Sequence, residues 1–277
     1  MNSQKEQADW GSYYYQSKRK AGKTRWVLDM IHSLNNSLPS FNELFDEDFQ
    51  KKEKMGGGFG DVILPYLSMT ALASTVGFFL CGTQICYRIH QRGTTDGTSP
   101  APFLMGFISC SFFIQYGFLK QDAIIYSTNA IGAFLQGVYL IYFWSKTRNT
   151  RTLNKILLIE ICLISTLVLY CKYSGESREN LIFQIGNICI FSNILSVGAP
   201  LMDIGTVVST KSSESLPFPL CFASFVVCLQ WFGYGMIIED MVIIVPNFIA
   251  TIISILQLSL FLIYPAPSKK YEKLSQI

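Results

Sequence analysis

Charge is scarce in this sequence. Of its 277 residues only 15% are Asp, Glu, Lys or Arg, while 50% are hydrophobic, and the mean hydropathy is +0.31. A water-soluble domain of this size carries more charge on its surface, so the composition is that of a membrane protein. Histidine is rarer still, with only His32 and His90, and the eight cysteines stand in apolar runs without a C-x-x-C. That argues against a metal-ligand set and a disulfide frame, and leaves the thiols as small buried hydrophobes. No metal or cofactor is expected. Also absent are G-x-S-x-G, H-E-x-x-H and the Gly-Lys-Ser/Thr that would turn Gly56-Gly57-Gly58-Phe59-Gly60 into a phosphate loop. The glycine run therefore reads as a flexible joint, and no enzyme chemistry is expected. A net charge of +3, with no basic block interleaved with aromatics, sets nucleic acid aside.

What the chain does have is long apolar segments, over roughly 62–87, 101–119, 123–145, 153–171, 181–209, 216–238 and 241–264. Each reaches ~20 residues, enough to cross a ~30 Å hydrocarbon core as a helix. Backbone polar groups facing lipid must be satisfied within their own segment, so an all-α integral membrane fold with seven transmembrane helices is expected. Residues 1–60 hold no apolar run near Met1 that would make a signal peptide, and read as a polar, disordered tail; 266–277 form a second, short tail. Lys and Arg concentrate in the loops after segments one, three and five and in the C-terminal tail, as with Arg88, Arg92, Lys146, Arg148, Lys211 and Lys269. The opposite loops carry only Lys120, Lys172 and Arg178; Lys51, Lys52 and Lys54 of the tail oppose the bias but are discounted, since long tails with neighbouring acids translocate largely regardless of charge. This bias places the C-terminus in the cytosol and the N-terminus outside or in a lumen. The sequon Asn35-Asn36-Ser37 is then a glycosylation candidate at Asn35.

Most of the chain is written twice. Pro100, Pro102, Phe113, Tyr116-Gly117, Asp122 and Asn129 recur in the same order as Pro217, Pro219, Trp231, Tyr234-Gly235, Asp240 and Asn247. The repeats (61–146 and 176–265) hold three helices each, and the odd helix between them (147–175) lets both insert the same way up. A 3+1+3 arrangement of parallel repeats follows, with a substrate path expected at their interface.

These residues carry a resemblance. Pro102-Phe103, Tyr116-Gly117 and Asn129, echoed by Lys211-Ser212-Ser213-Glu214-Ser215-Leu216-Pro217-Phe218, Trp231, Tyr234-Gly235, Pro246-Asn247 and Gln257-Leu258, resemble the SWEET sugar facilitators with their MtN3/saliva-type repeats, and among them the animal, insect-like branch. The likeness covers about residues 66–265. It implies a bidirectional, uncoupled uniporter moving mono- or disaccharides by alternating access, most often in the plasma membrane. The partners implied are a sugar, the lipid bilayer and, by resemblance alone, further copies in a homo-oligomer.

The resemblance also implies roles. Asn129 and Asn247 would hold sugar hydroxyls, since an amide offers both donors and an acceptor; each could otherwise serve only as polar glue between helices. Trp231 and its counterpart Phe113 would pack ring faces on the sugar, although phenylalanine replaces the usual tryptophan and lacks its N–H. Ser109, one turn before Phe113, is a further pocket candidate; its counterpart is Val227. Tyr116, Tyr234, Asp122 and Asp240 would form an outer gate and cap, the aspartates otherwise being ordinary turn residues. Pro102, Pro200 and Pro217 would bend helices as hinges, with Gly82 standing where the first copy lacks a partner for Pro200; prolines at 100 and 217 could equally start helices. Glu160 and Asp203 are expected to snorkel or to pair with Arg151, Lys155 or Lys211. Other readings are a PQ-loop-like carrier of amino acids and a seven-helix receptor, the latter without reason to be duplicated.

Overall fold

The computed structural model describes residues 59–214 and 216–265, so the Asn35 sequon, the C-terminal tail after Pro265 and most of the N-terminal tail lie outside the described residues. The described residues form nine helices: α1 (Phe59–Leu80), α2 (Gly82–Arg92), α3 (Ala101–Lys120), α4 (Ala123–Lys146), α5 (Arg151–Tyr173), α6 (Arg178–Ser196), α7 (Gly198–Thr210), α8 (Phe218–Ile237) and α9 (Met241–Ile263). They make seven spans, because α1 with α2 and α6 with α7 each form one interrupted helix of 31 and 33 residues. Phe59 and Gly60 already belong to α1, so the joint expected there is shorter than the glycine run suggests.

An unbroken helix of that length would be about 46–50 Å long, well beyond the bilayer core. Both long spans break before their polar ends, at Cys81 and at Val197. In the second repeat the cause is Pro200: it has no N–H for the carbonyl of Ser196, the last residue of α6. In the first repeat the position matching Pro200 holds Gly82, and the break precedes it. A Cβ there would stand 2.5 Å from the ring of Tyr139, so glycine is what lets α2 close on α4. Pro102 and Pro217 correct the expectation of bends at those positions. Pro102 lies in the first turn of α3 and Pro217 caps α8, where a missing N–H interrupts nothing, and both start helices.

The packing is reciprocal. α4 lies between α3 and the α1–α2 span, and α9 lies between α8 and the α6–α7 span, so each repeat is ordered first, third, second. The repeats meet through α1 against α8 and α3 against α6, which is the pseudo-twofold arrangement expected of parallel copies. α5 packs chiefly on α3. Small residues allow the close approaches that hold helices together in lipid. At Gly132, for example, a Cβ would meet Phe79 at 2.5 Å and the Cys110 sulfur at 2.8 Å. At the end carrying the α2–α3 and α7–α8 loops, each repeat has an apolar plug. Ile89, Phe103, Tyr139, Leu140 and Phe143 form the first and Val207, Leu216, Cys221 and Leu260 the second.

Candidate functional site

The Tyr-Gly-x4-Asp pattern builds the turn between the second and third spans of each repeat. Gln121 at φ 56° and Glu239 at φ 55° take left-handed conformations. The N–H of Asp122 then donates to the carbonyl of Gly117, and that of Asp240 to Gly235, each at 3.0 Å, satisfying carbonyls that a helix end leaves free. The same aspartates start the next helices: Asp122 accepts from the amides of Ile124 and Ile125, and Asp240 from that of Val242. Gly117 is required because a Cβ would lie 2.7 Å from the backbone nitrogen of Tyr126.

The aspartates also reach across to the other repeat. The Tyr116 hydroxyl donates to Asp240 at 2.7 Å, and the Tyr234 hydroxyl donates to Asp122 at 2.5 Å. All four side chains are buried, with Tyr234 fully and Tyr116 almost fully out of contact with solvent. Two crossed straps therefore tie the repeats together at this end. They are not equivalent: Lys120 adds an ion pair to Asp240 at 3.2 Å, and its counterpart position holds Ile238. The sequence pointed to these four residues; their crossing comes from the reciprocal packing.

Asn129 and Asn247 occupy matching places, seventh in α4 and seventh in α9. Each amide nitrogen donates to the carbonyl four residues back in its own helix, Ile125 and Ile243, at 2.8 Å. A carbonyl cannot donate, so the amide orientation is determined and each Oδ1 points away from that bond. Both side chains are half-buried. At 100° per residue, Asn129 lies nearly opposite the exposed stripe Ile131, Phe134, Val138 and Ile141, and Asn247 lies well away from Phe248, Ile252 and Ile255. Each is thus an amide turned away from the exposed face of its helix and only partly covered.

The aromatic counterparts differ. Trp231 is buried and its indole N–H donates to Thr75 Oγ1 at 2.8 Å across the α1–α8 contact, while Thr75 donates to Ala71. Ser74 bonds Gln230 beside it. Phe113, also buried, packs edge-on against Tyr116 and has no such bond. In the α3–α6 contact the polar link is instead Ser109 to Asn193 Oδ1, at 3.3 Å. Thr75 and Asn193 were not singled out from sequence, although both fall on the 118-residue register that relates Phe113 to Trp231.

Pro102, Pro200, Pro217 and Gly82 stand away from this group, at the helix starts and breaks described above. Glu160 corrects another expectation. It neither snorkels nor pairs with Arg151 or Lys155; it is buried on the face of α5 that carries Leu153 and Leu167, and its Oε2 has no partner. Asp203 is exposed. Among the described residues no cluster of His, Cys, Asp and Glu could hold a metal.

Comparison with known proteins agrees with this architecture. The family described as sugar efflux transporter for intercellular exchange, the MtN3/saliva family, matches twice, over residues 65–151 and 183–269. The chain is 39% identical over 203 residues to a protein named sugar transporter SWEET1 of Drosophila pseudoobscura pseudoobscura, covering 73% of this chain and 90% of that one. It is 33% identical over 217 residues to sugar transporter SWEET1 of Caenorhabditis elegans, covering 78% and 71%. A solved eukaryotic SWEET transporter superposes with a TM-score of 0.69 over 75% of this chain and 99% of its own, at 22% identity, which speaks for the fold. With the family pattern falling on both halves and the seven spans in a 3+1+3 order, the chain belongs to the SWEET, or MtN3/saliva, family.

Proposed function

We propose that this protein is a sugar uniporter, carrying mono- or disaccharides in either direction by alternating access between its two repeats. The observation that carries this reading is the matched pair of inward-turned, half-buried amides, Asn129 and Asn247, one per repeat. The crossed Tyr–Asp straps supply a closure at one end, and the breaks at Cys81 and Val197 supply places where the first span of each repeat can change angle. The names of the relatives, sugar transporters of fly and nematode and a bidirectional sugar transporter of Arabidopsis thaliana, point to the same substrate class.

Transport is passive in this reading. A coupled carrier needs an ionisable group or a cluster of oxygens that meets the substrate near mid-membrane. The central thirds of spans one, two, three, six and seven hold no Asp, Glu, Lys, Arg or His. Glu160 lies on α5, off the contact between repeats. Proteoliposomes with equal hexose on both sides and an imposed pH or sodium gradient should therefore show no net accumulation, while counterflow of labelled hexose proceeds. Accumulation that Glu160→Gln abolishes would reverse this assignment.

The charge bias of the loops supports an orientation with the strap end and the N-terminus outside, and the family resemblance implies the plasma membrane. Glycosylation of Asn35, absent in Asn35→Gln, is the expected sign. A tail that proteases reach only from the cytosolic side would overturn it. A homo-oligomer is the assembly that the family resemblance implies, and crosslinking in native membranes tests it.

A further inference from the structure

α4 and α5 follow one another in the chain, yet they do not pack on each other along their lengths; both rest on α3. They touch where their short loop joins them. The Trp144 indole N–H donates to Asn154 Oδ1 at 2.8 Å, and Leu153 enters the apolar plug that holds Phe143. Beyond that clasp the helices part. Leu158 and Ile161, four and seven residues after Asn154, share its face of α5 and are exposed, as are Ile141 and Phe134 on the Trp144 side of α4. On α4 Gly137 stands between those two, and a Cβ there would meet Phe107 of α3 at 3.6 Å, an ordinary contact. An apolar furrow therefore opens toward lipid between α4 and α5, with α3 as its floor.

The mouth of the furrow is basic. Arg151 and Lys155 stand one turn apart on the stripe of α5 that continues into Leu158, and Arg148 lies in the joining loop; all three are exposed. Among the described residues none of the three has an acidic partner. Asp96 is on the α2–α3 loop, and Glu160 is on the opposite face of α5. The rule that orients membrane helices asks only for cations in the loop. It does not ask for a lysine one turn inside a helix, where an apolar furrow begins. Trp144, exposed beside it, has the amphipathic ring that settles at headgroup depth. We propose that the furrow holds one anionic phospholipid of the cytosolic leaflet, with its phosphate on Arg148, Arg151 and Lys155 and an acyl chain lying between α4 and α5. Charge selects this occupant: three unpaired cations fit a headgroup of net negative charge, and the inner leaflet supplies one. The second repeat has no equivalent. Ile255 replaces Gly137 at the matching place in α9, and among the described residues no further helix follows α9.

The test puts the full-length protein into nanodiscs holding equal phosphatidylserine and phosphatidylcholine of the same acyl chains, then extracts it into detergent. Native mass spectrometry reads which lipid stays. Wild type should keep one phosphatidylserine, favoured about tenfold or more over phosphatidylcholine. Arg148→Gln, Arg151→Gln and Lys155→Gln combined should abolish that preference. A control that combines Arg88→Gln, Lys146→Gln and Lys211→Gln removes as much charge from the same end. Arg88 is on α2, Lys146 lies over the Tyr142 ring that bonds His90, and Lys211 is in the second repeat, so this control should keep the wild-type preference. Gly137→Ile fills the furrow with every cation in place, and should lose the bound lipid. An equal loss of preference in the control would mean diffuse attraction to the leaflet and overturn the site. Wild type that keeps no lipid would overturn it too, as would a lipid-free dimer that Gly137→Ile dissociates, since a second copy would then cover the furrow.

Discussion

Replacing Asp240 with alanine is expected to release the closed end of the protein. Its carboxylate holds the Tyr116 hydroxyl, the Lys120 ammonium and the first free amide of α9 together. A hydrogen bond to a charged group is worth roughly 1.5–3 kcal/mol and a helix cap about 1 kcal/mol. The cap is lost from open and closed forms alike, so the closed arrangement should lose about 1.5–3 kcal/mol; each 1.4 kcal/mol is about tenfold, so the open fraction rises by about tenfold or more. Cys189 reports this. It is fully buried on α6 and lies close to Asp240, so a membrane-impermeant maleimide should label it at least about tenfold faster in Asp240→Ala, read by mass spectrometry of its peptide. Asp122→Ala, which removes the other strap to Tyr234 and the cap of α4, should act in the same direction. Unchanged labelling of Cys189 in both variants would show that the straps do not hold this end shut.

Asn129→Ala and Asn247→Ala are expected to have the largest effect on transport itself. Each amide nitrogen is bonded within its own helix, and in the proposed site the Oδ1 and the second N–H would meet the substrate. Removing them leaves a sugar hydroxyl unpartnered, a loss of ~1–3 kcal/mol, so apparent affinity should fall about tenfold or more. The bonds being lost from the protein are local to one helix turn, so thermal unfolding should change little. Concentration-dependent hexose uptake by protein that reaches the membrane decides it. Wild-type affinity in both variants would remove the pair from the site.

The spans, their 3+1+3 grouping and the duplicated residues were legible because lipid imposes a length on every helix and because duplication preserves order. Asn129 and Asn247 could be paired by register alone. What register could not say was which partner each residue finds. Tyr116 meets Asp240 and not Asp122, and that follows from α3 packing on α6 and α1 on α8, which no spacing along the chain encodes. The prolines show a second limit. Pro102 and Pro200 look alike in sequence, but one has no carbonyl to deprive and the other leaves that of Ser196 bare. Glu160 shows a third, since a carboxyl within reach of two basic side chains on paper is turned by helix phase toward α3. Asn193 and Thr75 were findable: the 118-residue offset reaches both, and only attention to ordinary-looking polar residues was missing.

The position of α5 bears on how such a protein is divided in inheritance. Resting on α3 and lending Leu153 to the apolar plug of the first repeat, it is a fourth member of that half. The stretch between it and α6 is exposed from Lys172 to Asn180, with Gly175 in a left-handed turn. Every other tie between the halves is noncovalent. The peptide link there dictates dosage and handedness, giving one of each half, both facing the same way, and leaves their shape to the helices; a gene split at that turn would encode two complementary subunits.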